Sequence, residues 1–211
     1  MIRNILAAGF VFAAAPLAAE NVTIAALGDS LTQGFGLPEA EGFVPQMALW
    51  LEAEGAEVTL INAGVSGDTT QGGLSRVGWT LTPEVDAMIV ALGGNDLLRG
   101  IDPALSRANI EGILQAAADA GVEVMLVGMQ APGNYGPEYK ADFDALYPEL
   151  ADIYGTVFYD SFFAAFEGQG DVPAELGEFI QPDGIHPSAK GVEAIVADMG
   201  PSVLALIERV D

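Results

Sequence analysis

The sequence predicts a three-layer α/β/α sandwich in which a five-stranded parallel sheet is covered by helices on both faces. Three observations predict it. Five short segments are mostly apolar and rich in β-branched residues, the habit of strands buried on both faces. The stretches between them are spaced for crossovers rather than hairpins. Those stretches carry helix-type patterning with recognisable start and stop residues, so strand and helix alternate along the chain.

Taken in order, residues 1–19 (MIRNILAAGFVFAAAPLAA) place a cation at Arg3, an apolar run from Ile5 and small residues ahead of Glu20. That is the pattern of a cleaved secretory signal peptide. Pro16 interrupts the run, which falls short of the ~20 apolar residues that a membrane span needs. Residues 20–211 are then expected to form one domain, exported to the periplasm or the medium. The first strand is expected at 22–27 (VTIAAL), followed by a helix at 43–54 and a second strand at 58–61 (VTLI). A short helix around 74–81 leads to the third strand at 87–92 (AMIVAL). Asp102 is the N-cap candidate and Gly121 the stop for a helix at 103–120, after which 122–127 (VEVMLV) reads as the fourth strand. A helix at 138–153 and a strand at 156–159 (TVFY) follow, and a final helix from about 188 to 210 should be interrupted at Gly200 and Pro201.

Composition narrows the function classes. Cysteine is absent, which excludes a disulfide framework and a thiolate metal site. The formal charge is −23, and loss of Arg3 with the leader makes it −24. The cations are scattered from Arg3 to Arg209 and form no basic stripe, so nucleic acid is excluded as a partner and an anionic membrane surface is disfavoured. Beyond residue 19 every apolar run is cut by Gly, Pro or a charge, so no stable membrane insertion is expected. The acidity reads as a solubility or high-salt adaptation more than as substrate steering, and a monomer is expected.

In an open parallel sheet, ligands bind beyond the carboxyl ends of the strands. Gly28-Asp29-Ser30, residues 62–70 (NAGVSGDTT), Gly93-Gly94-Asn95-Asp96 and Gly128-Met129-Gln130 all hold that position. The single histidine, His186, follows Asp183 by three residues, within reach of a carboxylate that would fix its tautomer and stabilise its imidazolium. No second His and no Cys accompany it, which argues against a metal site. Ser30, in a Gly-flanked turn, is a nucleophile candidate and equally a helix N-cap candidate. The run Gly28-Asp29-Ser30-Leu31-Thr32 lacks the second glycine of the G-x-S-x-G elbow, which disfavours the α/β-hydrolase fold. Donors for an oxyanion could come from the Ser30 backbone, a Gly67 N–H and the Asn95 amide, although Gly67 and Asn95 each also read as turn formers.

As a set, Gly28-Asp29-Ser30-Leu31, Ser66-Gly67-Asp68-Thr69, Gly94-Asn95-Asp96 and Asp183-Gly184-Ile185-His186-Pro187 resemble the four blocks of the SGNH, or GDSL, hydrolases, in order and over nearly the whole mature chain. The resemblance implies a flavodoxin-like SGNH hydrolase fold. It implies Ser30 as nucleophile and oxyanion donor, Gly67 and Asn95 as the other donors, His186 as base and Asp183 as triad acid, with no cofactor. Residues 66–74, 92–100 (LGGNDLLRG) and 131–136 (APGNYG) resemble the bacterial periplasmic thioesterase, arylesterase and lysophospholipase branch, which implies hydrolysis of small-molecule or lipid-type acyl esters and thioesters. By the same likeness, 97–102 would be a mobile loop beside an acyl groove, with Leu97, Leu98 and Ile101 either touching the chain or packing under the next helix. Arg99 would meet a substrate phosphate or carboxylate, or pair with a neighbouring acid. Two alternatives remain beside this reading: a carbohydrate O-acetylesterase with a short polar pocket, and a non-catalytic binding module on the same fold.

Overall fold

The computed structural model describes residues 21–166 and 176–210; the leader expected at 1–19 lies outside the described residues. Five strands, β1 (Val22–Gly28), β2 (Val58–Gly64), β3 (Ala87–Ala91), β4 (Glu123–Val127) and β5 (Val157–Tyr159), form one sheet in the order β2-β1-β3-β4-β5. All four pairings are parallel, and Gly28 lies level with Gly64 of β2 and Ala91 of β3. The carboxyl ends of the three site-bearing strands are therefore flush, and the turns that follow them share one platform.

Successive side chains of a strand face opposite ways, and each face has its own core. Ile24 and Ala26 of β1, with Ile89 and Ala91 of β3, pack toward α2 (Phe43–Ala53) and α7 (Ala189–Ile207). Ala25, Leu27, Met88 and Val90 pack toward α3 (Thr70–Thr80), α5 (Pro103–Ala120) and α6 (Pro137–Tyr154). Fully buried side chains such as Phe43 and Phe143 anchor the two layers, at about 1.5–3 kcal/mol each for the burial. Helix boundaries follow local chemistry: the Asp102 carboxylate accepts from Ala104 N–H at the start of α5, and Gly121 and Gly155 end α5 and α6 in the left-handed region.

Two helices depart from the expectation. The final helix is not interrupted at Gly200 and Pro201; α7 runs through both to Ile207. Pro201 and Ala197, the residue whose carbonyl loses its partner, lie on the exposed face, where water can replace the missing bond. Gly200 serves packing, since a Cβ there would stand 2.5 Å from the Trp50 ring of α2. Helix α3 begins at Thr70 rather than near residue 74, because the Thr69 hydroxyl accepts from Gly72 N–H and the Thr70 N–H and hydroxyl both reach the buried Asp96 carboxylate. Two short helices, α1 (Ser30–Gln33) and α4 (Gly94–Leu98), sit directly on the ends of β1 and β3.

Candidate active site

Ser30, Gly67, Asn95 and His186 arrive from four separate segments and line one cleft of about 530 Å³. Each is placed by local chemistry. After β1 ends, the Asp29 carboxylate accepts from Leu31 N–H at 3.0 Å, so Asp29 is the N-cap and Ser30 the first residue of α1. At that position the Ser30 N–H has no intrahelical acceptor. The helix can rest on the strand ends only because Gly28 has no side chain: a Cβ there would fall 1.9 Å from Thr32 Oγ1.

His186 arrives on a closed loop. Ile180 and Pro187 form an antiparallel bridge, and Gln181 donates Nε2 to the Phe35 and Pro187 carbonyls at 2.8 and 2.9 Å, tying the loop to the segment after α1. Asp183 divides its work between its two oxygens. Its Oδ1 accepts from the backbone N–H groups of Ile185 and His186, and its Oδ2 takes His186 Nδ1 at 2.6 Å. The hydrogen bond with His186, with the two backbone N–H groups behind it, pulls the Asp183 carboxyl down to about 2. With Nδ1 so engaged, His186 Nε2 faces the Ser30 hydroxyl at 2.9 Å. The Phe35 ring lies against the imidazole with centroids 4.6 Å apart.

Gly67 and Asn95 come from the next two strand ends. Gly67 has φ 82°, a conformation that favours glycine, and its segment is held by Ser66 donating to Gln33 Oε1 at 2.6 Å and by the Asp68–Arg76 ion pair at 2.7 Å. Arg76 also reaches the Ala63 and Gly28 carbonyls, joining this segment to the ends of β2 and β1. Asn95, on α4, donates Nδ2 to Asp29 Oδ2 at 3.2 Å. Burial raises the Asp29 carboxyl to about 6, against the opposing pull of Leu31 N–H and the Asn95 amide.

Of the substrate-contact candidates, Leu97 and Leu98 line the cleft. Leu97 is also buried in the core beneath α5. Residues 97 and 98 belong to α4, and the stretch expected as a loop begins only after that helix. Ile101 is not among the cleft-lining residues, and its carbonyl accepts from Tyr139. Arg99 donates to the Gly67 carbonyl at 2.8 Å and, among the described residues, makes no ion pair. Sequence reasoning missed Asp29 as the partner of Asn95, and it missed Phe35, Phe163 and Ile185 as apolar lining. The position of Asp29 between Gly28 and Ser30 was its signal; the lining residues lie in irregular segments with no periodicity to reveal them.

A Ser30–His186–Asp183 hydrogen-bonded chain, with Ser30 and His186 lining an apolar cleft that Gly67 and Asn95 also line, has the parts of an acyl-transfer site. Among the described residues, no group of three His, Cys, Asp or Glu side chains could hold a metal ion, and no helix is long and apolar enough to cross a membrane. Residues 26–194 match the GDSL-like Lipase/Acylhydrolase family. The chain is similar to "Esterase TesA" of Pseudomonas aeruginosa, 36% identical over 186 residues, 88% of this chain and 89% of that protein. It is 32% identical to "Thioesterase 1/protease 1/lysophospholipase L1" of Escherichia coli over 182 residues, 86% and 82% of the two chains. The crystal structure of AlinE4, an SGNH-hydrolase family esterase, superposes with a TM-score of 0.72 at 39% identity, covering 90% of this chain and 98% of that one.

Proposed function

Since this chain belongs to the GDSL-like lipase/acylhydrolase family and is a carboxylic ester hydrolase, we propose that Ser30 is its nucleophile, His186 its base and Asp183 the triad acid. The observation that carries this assignment is the double engagement of one imidazole, Nδ1 on Asp183 at 2.6 Å and Nε2 on Ser30 Oγ at 2.9 Å. Ser30 Oγ attacks the acyl carbonyl carbon as its proton passes to His186 Nε2. The Ser30 and Gly67 N–H groups and the Asn95 amide receive the negative charge that develops on the carbonyl oxygen. His186 then gives its proton to the departing alkoxide, leaving an acyl-Ser30 ester. Water repeats the sequence, with His186 as base, and releases the carboxylic acid. Asp183, ionised down to about pH 2, faces the imidazolium in both steps.

The substrate we assign is a neutral or lipid-type acyl ester, of the arylesterase, lysophospholipase or thioesterase kind. Leu98, Met129, Pro132, Phe163 and Ile185 make the cleft walls largely apolar, which suits an acyl chain and not the short polar pocket of a sugar deacetylase. The leader-like residues 1–19 support export to the periplasm or medium, and the mature chain is assigned as a monomer. The test is hydrolysis of p-nitrophenyl esters from acetyl to palmitoyl by the mature protein and by Ser30→Ala in parallel. Activity in the wild type alone, rising beyond acetyl, is the expected result. A preference for acetyl would favour the O-acetylesterase, and activity in neither protein would favour the binding module.

A further inference from the structure

The two oxyanion donors outside α1 sit on different crossovers, Gly67 between β2 and α3 and Asn95 on α4 after β3. Strand β1 lies between β2 and β3, so no ladder joins the two donor-bearing strands directly. Side-chain bridges join the two segments. One is buried: Asp96, next to Asn95, accepts the Thr70 N–H at 2.8 Å and the Thr70 hydroxyl at 2.6 Å. The other is solvent-exposed: Arg99, which closes α4, donates Nη2 to the carbonyl of the cleft-lining Gly67 at 2.8 Å.

The partner chosen by Arg99 is informative. Arg76, Arg107, Lys140 and Lys190 each pair with a carboxylate, and Arg209 takes the carbonyl of Gly155, which ends α6. In a chain with 30 acidic residues, Arg99 instead takes a backbone carbonyl that belongs to the site itself. With φ at 82° and no side chain, Gly67 is held in place by the contacts of its own peptide groups and its neighbours. The Gly67 carbonyl and N–H lie in successive peptide planes that meet at its Cα, so a bond that holds the carbonyl limits the φ and ψ rotations by which the N–H could turn away.

We propose that Arg99 is a positioning residue for the oxyanion hole, locking the Gly67 segment to the Asn95 helix, and is not a receptor for an anionic group on the acyl part of the substrate. The proposal rests on the esterase reading given above. An oxyanion donor acts only when it lies about 2.7–3.1 Å from the oxygen that gains charge. A misplacement of about 1 Å costs about a hundredfold in rate. Because the ground-state carbonyl gains little from these donors, the loss falls on kcat and not on KM.

The test compares p-nitrophenyl butyrate with p-nitrophenyl hydrogen succinate, esters of equal chain length that differ in a terminal carboxylate. Wild type, Arg99→Ala and Arg99→Lys are assayed, with active sites counted by a fluorophosphonate that labels the nucleophilic serine. The expected result is a kcat about ten- to a hundredfold lower for Arg99→Ala on both esters, with KM within about twofold. Arg99→Lys, which keeps a donor for the carbonyl, should recover part of that loss, and if Arg99→Ala fails to fold, a fall in kcat for Arg99→Lys on both esters alike carries the test. A rise in KM confined to the succinate ester would make Arg99 a substrate contact and overturn the proposal. Unchanged rates on both esters would overturn it too. A wild-type protein that cleaves neither ester and takes no fluorophosphonate would instead remove the esterase reading, on which the proposal stands.

Discussion

Asn95 donates its amide to Asp29 at 3.2 Å, so the side chain next to Ser30 orients the amide of a residue carried by a different crossover. Asp29 is 2% exposed and its carboxyl is raised to about 6 from an ordinary value of 3.8, chiefly by burial. A raised carboxyl contributes its full share of stability below about 3.8 and loses it as pH climbs through about 6. Relative to Asp29→Asn, which has no such titration, the wild type should therefore gain stability as pH falls from 8 to 4. The gain is of order 3 kcal/mol, because each pH unit by which burial raises the carboxyl is worth about 1.36 kcal/mol. Denaturant unfolding of both proteins at the two pH values measures it, and a difference that does not vary with pH would contradict the burial argument.

The Asp183 carboxyl owes its depressed value first to His186 and then to the N–H groups of Ile185 and residue 186. In His186→Ala the first cause disappears and the backbone donors stay. Its titration, followed by carboxyl carbon NMR, should rise from about 2 toward 3.8 without reaching it. The same variant should lose roughly 10⁴-fold or more in kcat, as triad members do elsewhere. An unmoved carboxyl would mean that the imidazole contact is not what holds it.

Gly200→Ala should destabilise the protein although alanine is the better helix former. Propensity favours the change by about 1 kcal/mol. Against this, the new methyl would meet three carbons of the Trp50 ring at 2.5–2.7 Å, and overpacking of this kind costs about 1–3 kcal/mol. A lowered unfolding midpoint with altered Trp fluorescence and unchanged kcat is expected. A raised midpoint would show that the α2–α7 contact yields easily.

The strands were legible because a buried parallel strand needs an apolar, β-branched run whatever lies elsewhere in the chain, as 22–27 and 87–92 show. Helix α5 was legible to the residue because Asp102 and Gly121 act on their own backbone neighbourhood. Helix α7 was misjudged because the consequence of Gly200 and Pro201 depends on what packs beside them, Trp50 at one and open solvent at the other. The start of α3 was misplaced for a similar reason: Thr70 is held by Asp96, 26 residues away.

At the site, the sequence by itself determined which chemical groups are present: one imidazole, a carboxylate three residues before it, a hydroxyl at a strand end, and an amide and a glycine after two other strands. These follow from composition, spacing and the rule that open parallel sheets bind ligands at their carboxyl edge. Which groups meet was decided by tertiary structure alone. His186 reaches Ser30 across 156 positions only because the 180–187 loop is tied to Phe35, and Asn95 reaches Asp29 only because β3 lies beside β1 in a flush register. Arg99 had two readings on sequence grounds, substrate or neighbouring acid; among the described residues it pairs with no acid and donates to a backbone carbonyl instead. A long guanidinium settles on whichever acceptor the fold brings within hydrogen-bond distance, and here that is the carbonyl of Gly67.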